Sequence, residues 1–270
     1  MPTTSLGGVG LGFDEVGEGP DALLLIHGHP FNRSMWRPQL KALEGQGWRI
    51  IAPDLRGYGE SQVVPGITTF DTFVEDLSAL LDHLAVDSVV VGGLSMGGQI
   101  AMHFALRYPA RVRGLLLAAT YPQSETDQGK ERRRAMAERI LREGMDRYAT
   151  EVLPNMLGPR SMASLPVVAS DVLAMMRATD PRGAAAALLG RAERPAYEET
   201  LAAFNAPALV VVGDADAFTT RADAETMARL LRRSELLWLP EIGHMPNLEN
   251  QAEFSAALIR LLGRVTQDAQ

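Results

Sequence analysis

The sequence predicts an α/β protein with a mostly parallel, doubly wound sheet that is interrupted by a helical insertion. Short, continuous apolar runs alternate along the chain with amphipathic stretches of helical spacing. Continuous apolar runs are typical of strands whose two faces are both covered, as in a parallel sheet flanked by helices. The regular alternation of the two kinds of segment therefore favours strand–helix units and a doubly wound sheet.

Six apolar runs are predicted to be buried strands, and five segments are predicted to be helices. The strands are Leu23–Ile26, Arg49–Ala52, Val89–Val91, Leu115–Leu117, Leu209–Val212 and Leu236–Leu239. The helices are Trp36–Leu43, Thr69–Leu84, Met96–Tyr108, Thr220–Leu231 and Gln251–Leu262. The glycine-rich stretch Gly7–Gly12 lacks the spacing of a dinucleotide loop and precedes no helix, so we expect a flexible lead into a first strand.

The region from Tyr121 to Asn205 breaks this alternation. It contains no convincing strand, and prolines at positions 154, 159, 166, 181 and 195 mark helix boundaries. We therefore predict a core domain formed by residues 1–120 and 206–270, and a helical cap, or lid, formed by residues 121–205. The basic run Arg132–Arg134 lies among acids and is interpreted as a solvated helix face.

The composition restricts the functional classes. The net charge of -7 disfavours binding to a phosphate backbone, so we expect no nucleic-acid partner. The absence of cysteine excludes disulfides and thiolate metal sites. The N-terminal residues lack the pattern of a secretory signal, and no run of about eighteen apolar residues occurs. We expect a cytoplasmic protein without membrane contact. The sequence does not decide whether the protein forms a homo-oligomer.

The strongest chemical signal is the pattern Gly-x-Ser-x-Gly at residues 93–97. It directly follows a predicted strand and directly precedes a predicted helix. In that context the serine sits on a sharp turn that exposes its hydroxyl, and the helix N-terminus favours developing negative charge. Since both flanks fit, a nucleophilic Ser95 is favoured over a tight turn with an incidental serine.

A serine nucleophile needs a base and an acid that orients the base. Where a serine lies on such a turn, the order along the chain is serine, acid, histidine, and of the five histidines only His244 follows Ser95 and a later acid. Asp216 is the preferred acid, because it lies further beyond its strand and can turn toward the histidine loop. Asp214 is the alternative, and it could instead cap the turn or the next helix.

The tetrahedral intermediate needs two N–H donors. The backbone of Met96, just after the nucleophile, is predicted to supply one, and the backbone of His29 the other. Pro30 has no N–H and cannot donate. The side chain of His29 either faces the pocket or bonds to the loop backbone; the sequence does not decide between these.

Five motifs follow one another along the chain, at His27–Pro30, Asp54–Ser61, Gly93–Gly98, Gly213–Asp216 and Gly243–Pro246. Together they resemble the α/β-hydrolase fold superfamily over nearly the whole chain, and most closely its carboxylesterases, 3-oxoadipate enol-lactonases and cofactor-free haloperoxidases or perhydrolases. The resemblance implies an acid at Asp216, oxyanion donors at His29 and Met96, and a structural role for Asp54–Ser61. Epoxide hydrolases and haloalkane dehalogenases of this fold have aspartate where this chain has Ser95.

The substrate pocket is predicted to be lined by apolar residues near the catalytic loops. The sequence places no arginine or lysine at the pocket floor with any certainty, so it does not predict an anionic substrate. No cofactor and no metal is expected. The predicted substrate contacts are Phe31, Trp36, Tyr121, Phe218 and Met245, together with Met35 and the cap residues Met156, Leu157, Met175 and Met176.

The leading functional hypothesis is a serine hydrolase that cleaves small carboxylic esters or lactones through an acyl-serine. The first alternative is a cofactor-free perhydrolase or haloperoxidase with the same triad, with which Pro30 beside the oxyanion donor is compatible. The second is a non-catalytic binding protein on the same fold. It is disfavoured because such proteins usually carry a damaged triad.

Overall fold

Eight strands form one sheet in the computed structural model, which describes the backbone of residues 3–6 and all of residues 8–268. The spatial order is β1-β2-β4-β3-β5-β6-β7-β8. The pairs β1–β2 and β2–β4 are antiparallel, and the other pairs are parallel. The strands are β1 (Thr3–Leu6), β2 (Val9–Val16), β3 (Asp21–Ile26), β4 (Trp48–Pro53), β5 (Val89–Leu94), β6 (Val112–Ala118), β7 (Ala208–Gly213) and β8 (Ser234–Leu239).

Helices cover both faces of this sheet. Leu24 and Ile26 of β3 lie on the face that is covered by α2, α3 and α10, whereas Leu23 and Leu25 lie on the face that is covered by α1 and α12. The helices are α1 (Arg37–Leu43), α2 (Phe70–His83), α3 (Met96–Arg107), α4 (Asp127–Glu143), α5 (Met145–Met156), α6 (Pro159–Ser164), α7 (Pro166–Ala178), α8 (Pro181–Ala192), α9 (Glu198–Ala203), α10 (Arg221–Leu230), α11 (Pro246–Glu249) and α12 (Gln251–Asp268).

The predicted doubly wound α/β fold is confirmed, and each of the six predicted apolar runs lies inside one of the strands β3 to β8. β8 is less buried than predicted, because it is an edge strand and pairs with β7 alone. Leu236, for example, is exposed. The apolar run indicated a strand correctly, but the run alone carries no information on how many neighbours the strand has.

The expectation of a flexible glycine-rich lead is wrong for residues 9–12, while Gly7 lies outside the described residues. Residues 9–16 form β2, in which Val9, Leu11 and Phe13 are buried at alternate positions. Gly12 is held on both sides, because its N–H donates to Ser61 Oγ and its carbonyl accepts from the N–H of Asp54. The alternation of Val9, Leu11 and Phe13 indicates a strand, but the glycines between them have low strand propensity and favoured the interpretation as a flexible segment.

The segment between β6 and β7 contains the six helices α4 to α9, in the region where the sequence predicts a cap. Helix α8 packs unusually close to the core. A Cβ added at Gly183 would lie 1.9 Å from the carbonyl oxygen of Gly57, and one at Gly190 would lie 1.7 Å from that of Thr68. Only glycine allows this approach of two backbones. The helix therefore forms a fixed wall above the sheet.

Within the described part of the chain, no helix combines the length and the apolar character needed to cross a membrane.

Candidate active site

Ser95 occupies a strained turn between β5 and α3. Its backbone has φ 57° and ψ −117°, in the left-handed half of conformational space that non-glycine residues rarely adopt. The turn is compact because glycines surround it: a Cβ at Gly93 would lie 2.2 Å from the backbone of Gly97, and one at Gly97 would lie 2.2 Å from the carbonyl oxygen of Ile26. This geometry lifts the Ser95 side chain above the carboxyl end of the sheet, at the N-terminus of α3.

The imidazole of His244 is paired with Asp216. Nδ1 of His244 lies 2.9 Å from each carboxylate oxygen of Asp216, whose side chain is fully buried. Burial raises the pKa of Asp216, but the charge of His244 and hydrogen bonds from His244 and from the N–H groups of Phe218 and Thr219 outweigh it, so the pKa falls below its usual value. An ionised Asp216 only accepts hydrogen bonds. In the neutral form of the His244 imidazole, Nδ1 therefore carries the hydrogen and Nε2 keeps a lone pair for use as a base.

Asp214, the alternative acid, points elsewhere. Its Oδ1 accepts the backbone N–H of Glu241, in the turn that follows β8. It therefore supports the loop that leads to His244 rather than the imidazole itself. Two residues further along the chain, Asp216 turns toward His244.

The nucleophile candidate and the base candidate face one cavity. Ser95 and His244 both line it, and within the described residues no hydrogen bond joins their side chains. Catalytic hydrogen bonds are often long in an unliganded enzyme and tighten when substrate binds. Ser95 and His244 therefore both contact the cavity that a substrate would occupy.

The two predicted oxyanion donors remain available. Among the described residues, neither the backbone N–H of His29 nor that of Met96 donates to a protein acceptor. The loop that carries His29 is held by His27, whose Nε2 accepts the N–H of Leu55 while Nδ1 donates to the carbonyl of Gly28. A rigid loop with a free N–H is what stabilisation of an oxyanion requires.

The side chain of His29 faces the cavity, which answers the question that the sequence left open. Its Nδ1 is hydrogen-bonded to the hydroxyl of Tyr58 at 2.8 Å, while Nε2 is buried without a partner. Burial, followed by the positive charges of Arg191 and Arg133, lowers the pKa of His29 well below its usual value. His29 is therefore neutral at pH 7. Tyr58 belongs to the Asp54–Ser61 stretch, which consequently reaches the site as well as supporting the fold.

The cavity has a volume of about 370 Å³ and lies between the sheet and the helices α4, α5 and α8. Cavities of this size hold small organic molecules. The core supplies the residues around Ser95 and His244, and the helical segment supplies the opposite wall. The lining residues are His29, Ser95, Ala119, Tyr121, Glu125, Gly129, Arg132, Arg133, Met136, Tyr148, Val152, Asn155, Met156, Leu188, Arg191, Phe218, Thr219 and His244.

Tyr121 and Phe218 line the cavity as predicted, and Phe218 packs edge-on against the His244 ring at 4.7 Å. The predicted contacts Phe31, Trp36 and Met245 do not: all three are fully buried in the core on the α1 and α12 face. They neighbour site residues along the chain, but their side chains point into the packing layer. Of the five further predicted residues, Met156 lines the cavity. The other four do not line it and are buried in the core: Met35, Leu157, Met175 and Met176.

The cavity contains cations that the sequence did not locate. Arg133 and Arg191 line the cavity, and Arg132 lies at its exposed rim. Arg133 is not on a solvated face, because α4 turns it inward with Gly129 and Met136. These residues follow the spacing i, i+4, i+7, so helical periodicity could have placed Arg133 on the inner face.

A buried carboxylate that the sequence did not single out ties the His244 loop to the helical segment. Oε2 of Glu249 accepts the N–H of Gly243 at 2.9 Å and that of Gly158 at 2.8 Å, and its Oε1 accepts the N–H of Met245 at 3.0 Å. The residues on both sides of His244 are therefore held by one side chain. Glu249 is a positioning residue, because it acts on the imidazole through the backbone.

Within the described residues, no group of three or more histidine, aspartate or glutamate side chains is placed to hold a metal ion.

Comparisons with known proteins identify the family of this chain. A family model described as the alpha/beta hydrolase fold matches residues 21–251. The chain belongs to the α/β hydrolase fold family. The predicted membership is thereby confirmed, and Ser95, Asp216 and His244 of this α/β hydrolase all lie inside the matched range.

Three relatives illustrate the range of this family. The thermophilic esterase from Thermogutta terrifontis, solved with malate bound, has a TM-score of 0.93 and 37% identity, and the match covers 98% of both chains. The enol-lactonase from Burkholderia xenovorans LB400 has a TM-score of 0.89 and 26% identity, over 97% of this chain and 100% of that one. Epoxide hydrolase 2 from Siraitia grosvenorii is 39% identical over 116 residues, which are 42% of this chain but only 36% of that enzyme.

Proposed function

We propose that this α/β hydrolase cleaves carboxylic esters or lactones through an acyl-serine intermediate, without a cofactor. The observation that carries the proposal is the buried Asp216–His244 pair, which faces the same cavity as the strained Ser95 turn. The likeness to an esterase and an enol-lactonase over almost the whole chain supports the reaction class. The serine at position 95 favours an acyl-serine over an alkyl-aspartate route.

In the first half-reaction, Oγ of Ser95 attacks the acyl carbon while Nε2 of His244 takes the hydroxyl proton. Asp216 stabilises the resulting imidazolium through its hydrogen bond to Nδ1. The negative charge on the former carbonyl oxygen is bound by the N–H groups of His29 and Met96. The tetrahedral intermediate then collapses, the proton passes from His244 to the leaving alkoxide, and an alcohol departs.

In the second half-reaction, water attacks the acyl-serine. Nε2 of His244 removes a proton from the water, and the same two N–H groups bind the second oxyanion. Collapse releases the carboxylic acid and returns the proton to Ser95. For a lactone, the alcohol and the acid are the two ends of one product.

Covalent labelling tests the nucleophile. A fluorophosphonate probe should label the folded wild-type protein on Ser95, and Ser95→Ala should lose both the label and the hydrolysis of p-nitrophenyl butyrate. Ser164→Ala is a matched control, since this exposed serine bonds only within α6. If Ser95→Ala labels as strongly as the wild type, or keeps its hydrolysis, the proposed mechanism is wrong.

The acyl acceptor is tested in the same assay. With hydrogen peroxide present, a perhydrolase would lose its acyl group to peroxide faster than to water, and peracid would accumulate. We expect water to remain the preferred acceptor. The substrate panel should vary ester chain length and lactone ring size, and should include esters of dicarboxylic acids because the Thermogutta terrifontis esterase was solved with malate bound.

A further inference from the structure

The cavity carries an excess of positive charge. Arg133 and Arg191 line it, and Arg194 lies behind them with a fully buried side chain. Among the described residues that line the cavity, Glu125 is the only carboxylate. Buried charges in proteins are nearly always paired, because an isolated ion loses its hydration. One carboxylate for three guanidinium groups leaves this requirement unmet.

Glu125 is already engaged. Its Oε1 accepts a hydrogen bond from Nη2 of Arg133 at 2.6 Å and another from the hydroxyl of Tyr121 at 3.1 Å, and Nη2 of Arg194 lies 3.5 Å away. Burial raises the pKa of Glu125, but the positive charge of Arg133, Arg191 and Arg194 outweighs this and lowers it. The carboxylate is thus ionised, and it neutralises the Arg133 side of the cluster.

Arg191 has no such partner. Its Nε donates to Oε1 of Gln99 at 2.8 Å, and within the described residues neither terminal nitrogen has a hydrogen-bond or ion-pair partner. The residue is only 8% exposed. Burial, followed by the repulsion from Arg133, lowers the pKa of the guanidinium. Its two terminal nitrogens are therefore donors presented to the cavity, and they match the two oxygens of a carboxylate.

Gln99 places this donor pair close to the nucleophile. It lies one turn after Ser95 on α3, and its backbone N–H donates to the carbonyl of Ser95 at 3.1 Å. One turn of helix rises about 5.4 Å. Ser95 and Arg191 line the same cavity of about 370 Å³, so a small acyl group in that cavity lies between the nucleophile and the guanidinium.

We propose that the cavity takes acyl substrates that carry a second, ionised carboxylate, and that Arg191, assisted by Arg133, binds that group. The substrate class is the half-ester or the carboxylated lactone of a short dicarboxylic acid. The inference rests on the proposed function, because it concerns the acyl half of a substrate that Ser95 attacks. It also gives the uncompensated charge of Arg191 a partner.

Two esters of equal length test the proposal. Methyl hexanoate and monomethyl adipate differ only in a terminal methyl group that is replaced by a carboxylate. We expect wild-type kcat/KM to be higher for monomethyl adipate, measured by methanol release at pH 7. In Arg191→Gln the ratio of the two kcat/KM values should fall about 10- to 100-fold, as expected for the loss of a charge-assisted contact. Arg191→Lys keeps the positive charge but loses the planar guanidinium. Its ratio of the two kcat/KM values should therefore lie between those of the wild type and Arg191→Gln.

Arg134→Gln is the matched control. Arg134 is the chain neighbour of Arg133 on α4, but it pairs with Glu193 outside the cavity, so its substitution should leave the ratio unchanged. If Arg191→Gln fails to fold, as judged by circular dichroism, Arg133→Gln takes its place and should lower the ratio about 3- to 10-fold. Adipate should also inhibit methyl hexanoate hydrolysis by the wild type more strongly than hexane-1,6-diol does.

The possible failures can be told apart. If wild type prefers methyl hexanoate, or if the ratio survives in Arg191→Gln, the carboxylate site is refuted while the hydrolase mechanism stands. If Ser95→Ala hydrolyses either ester at the wild-type rate, the proposed function itself fails. Equal inhibition by adipate and the diol counts against the carboxylate site alone.

Discussion

Replacing Glu249 by glutamine tests whether one side chain positions the His244 loop. The carboxylate accepts three backbone N–H groups, from Gly158, Gly243 and Met245, at 2.8 to 3.0 Å. An amide has a single acceptor oxygen, so even in its better orientation Glu249→Gln turns an N–H₂ group toward the N–H of Met245. One hydrogen bond is lost, two donors face each other, and the two bonds that survive lose the charge of their acceptor.

The size of the effect follows from these contacts. A hydrogen bond to a charged group contributes about 1.5 to 3 kcal/mol, and an unsatisfied buried donor adds a penalty of similar size. We expect the free energy of unfolding to fall by about 2 to 4 kcal/mol. Since Gly243 and Met245 flank His244, the imidazole should also shift, and a displacement near 1 Å would lower kcat/KM by about 10- to 100-fold.

Urea unfolding followed by circular dichroism measures the first quantity, and steady-state hydrolysis of p-nitrophenyl butyrate measures the second. Glu253→Gln is the matched control, because Glu253 is exposed and bonds only within its own turn. It should change the unfolding free energy by less than about 0.5 kcal/mol. Wild-type stability and wild-type kcat/KM in Glu249→Gln would refute the assigned role.

Three further substitutions probe the acid, the His29 contact and the closest backbone packing. Asp216→Asn should lower kcat about 10⁴-fold in ester turnover. Because the pKa of Asp216 lies below its usual value, the wild type should lose stability below about pH 4, and a thermal melt series should find that loss reduced in Asp216→Asn. Tyr58→Phe should lower kcat/KM about 3- to 10-fold by freeing Nδ1 of His29, without changing the melting temperature by more than a few degrees. Gly183→Ala should destabilise by about 1 to 3 kcal/mol in urea unfolding, whereas Gly263→Ala, with open space around it, should not.

Local chemistry explains what could be predicted from the sequence. The Ser95 turn depends on glycines within a few residues, so its motif is readable without any knowledge of tertiary contacts. Asp216 and His244 follow the ends of β7 and β8, and neighbouring parallel strands end at the same edge of the sheet. Chain order and strand position were therefore enough to indicate the pair that the fold brings together. Their catalytic roles remain part of the proposal.

Long-range packing explains what could not be predicted. Arg191 reaches the cavity only because Gly183 and Gly190 let α8 approach the core, and nothing in its own alanine-rich helix signals that approach. Met245 shows the opposite error: it adjoins His244 in the chain, yet its side chain enters the core. Neighbourhood in sequence gives the position of a backbone, while the direction of a side chain depends on contacts with residues that are distant in the sequence.

The backbone contacts of α8 determine which helices of the segment between β6 and β7 can be mutated to change the substrate range of the protein. Gly183 and Gly190 leave no space for even one methyl group against the core, so substitutions at these two positions would lower the yield of folded protein. Helices α4 and α5 contribute Met136, Tyr148 and Met156 to the opposite wall without such contacts. A mutant library for altered acyl selectivity should therefore randomise the cavity-lining positions of α4 and α5 and keep Gly183 and Gly190 of α8 constant.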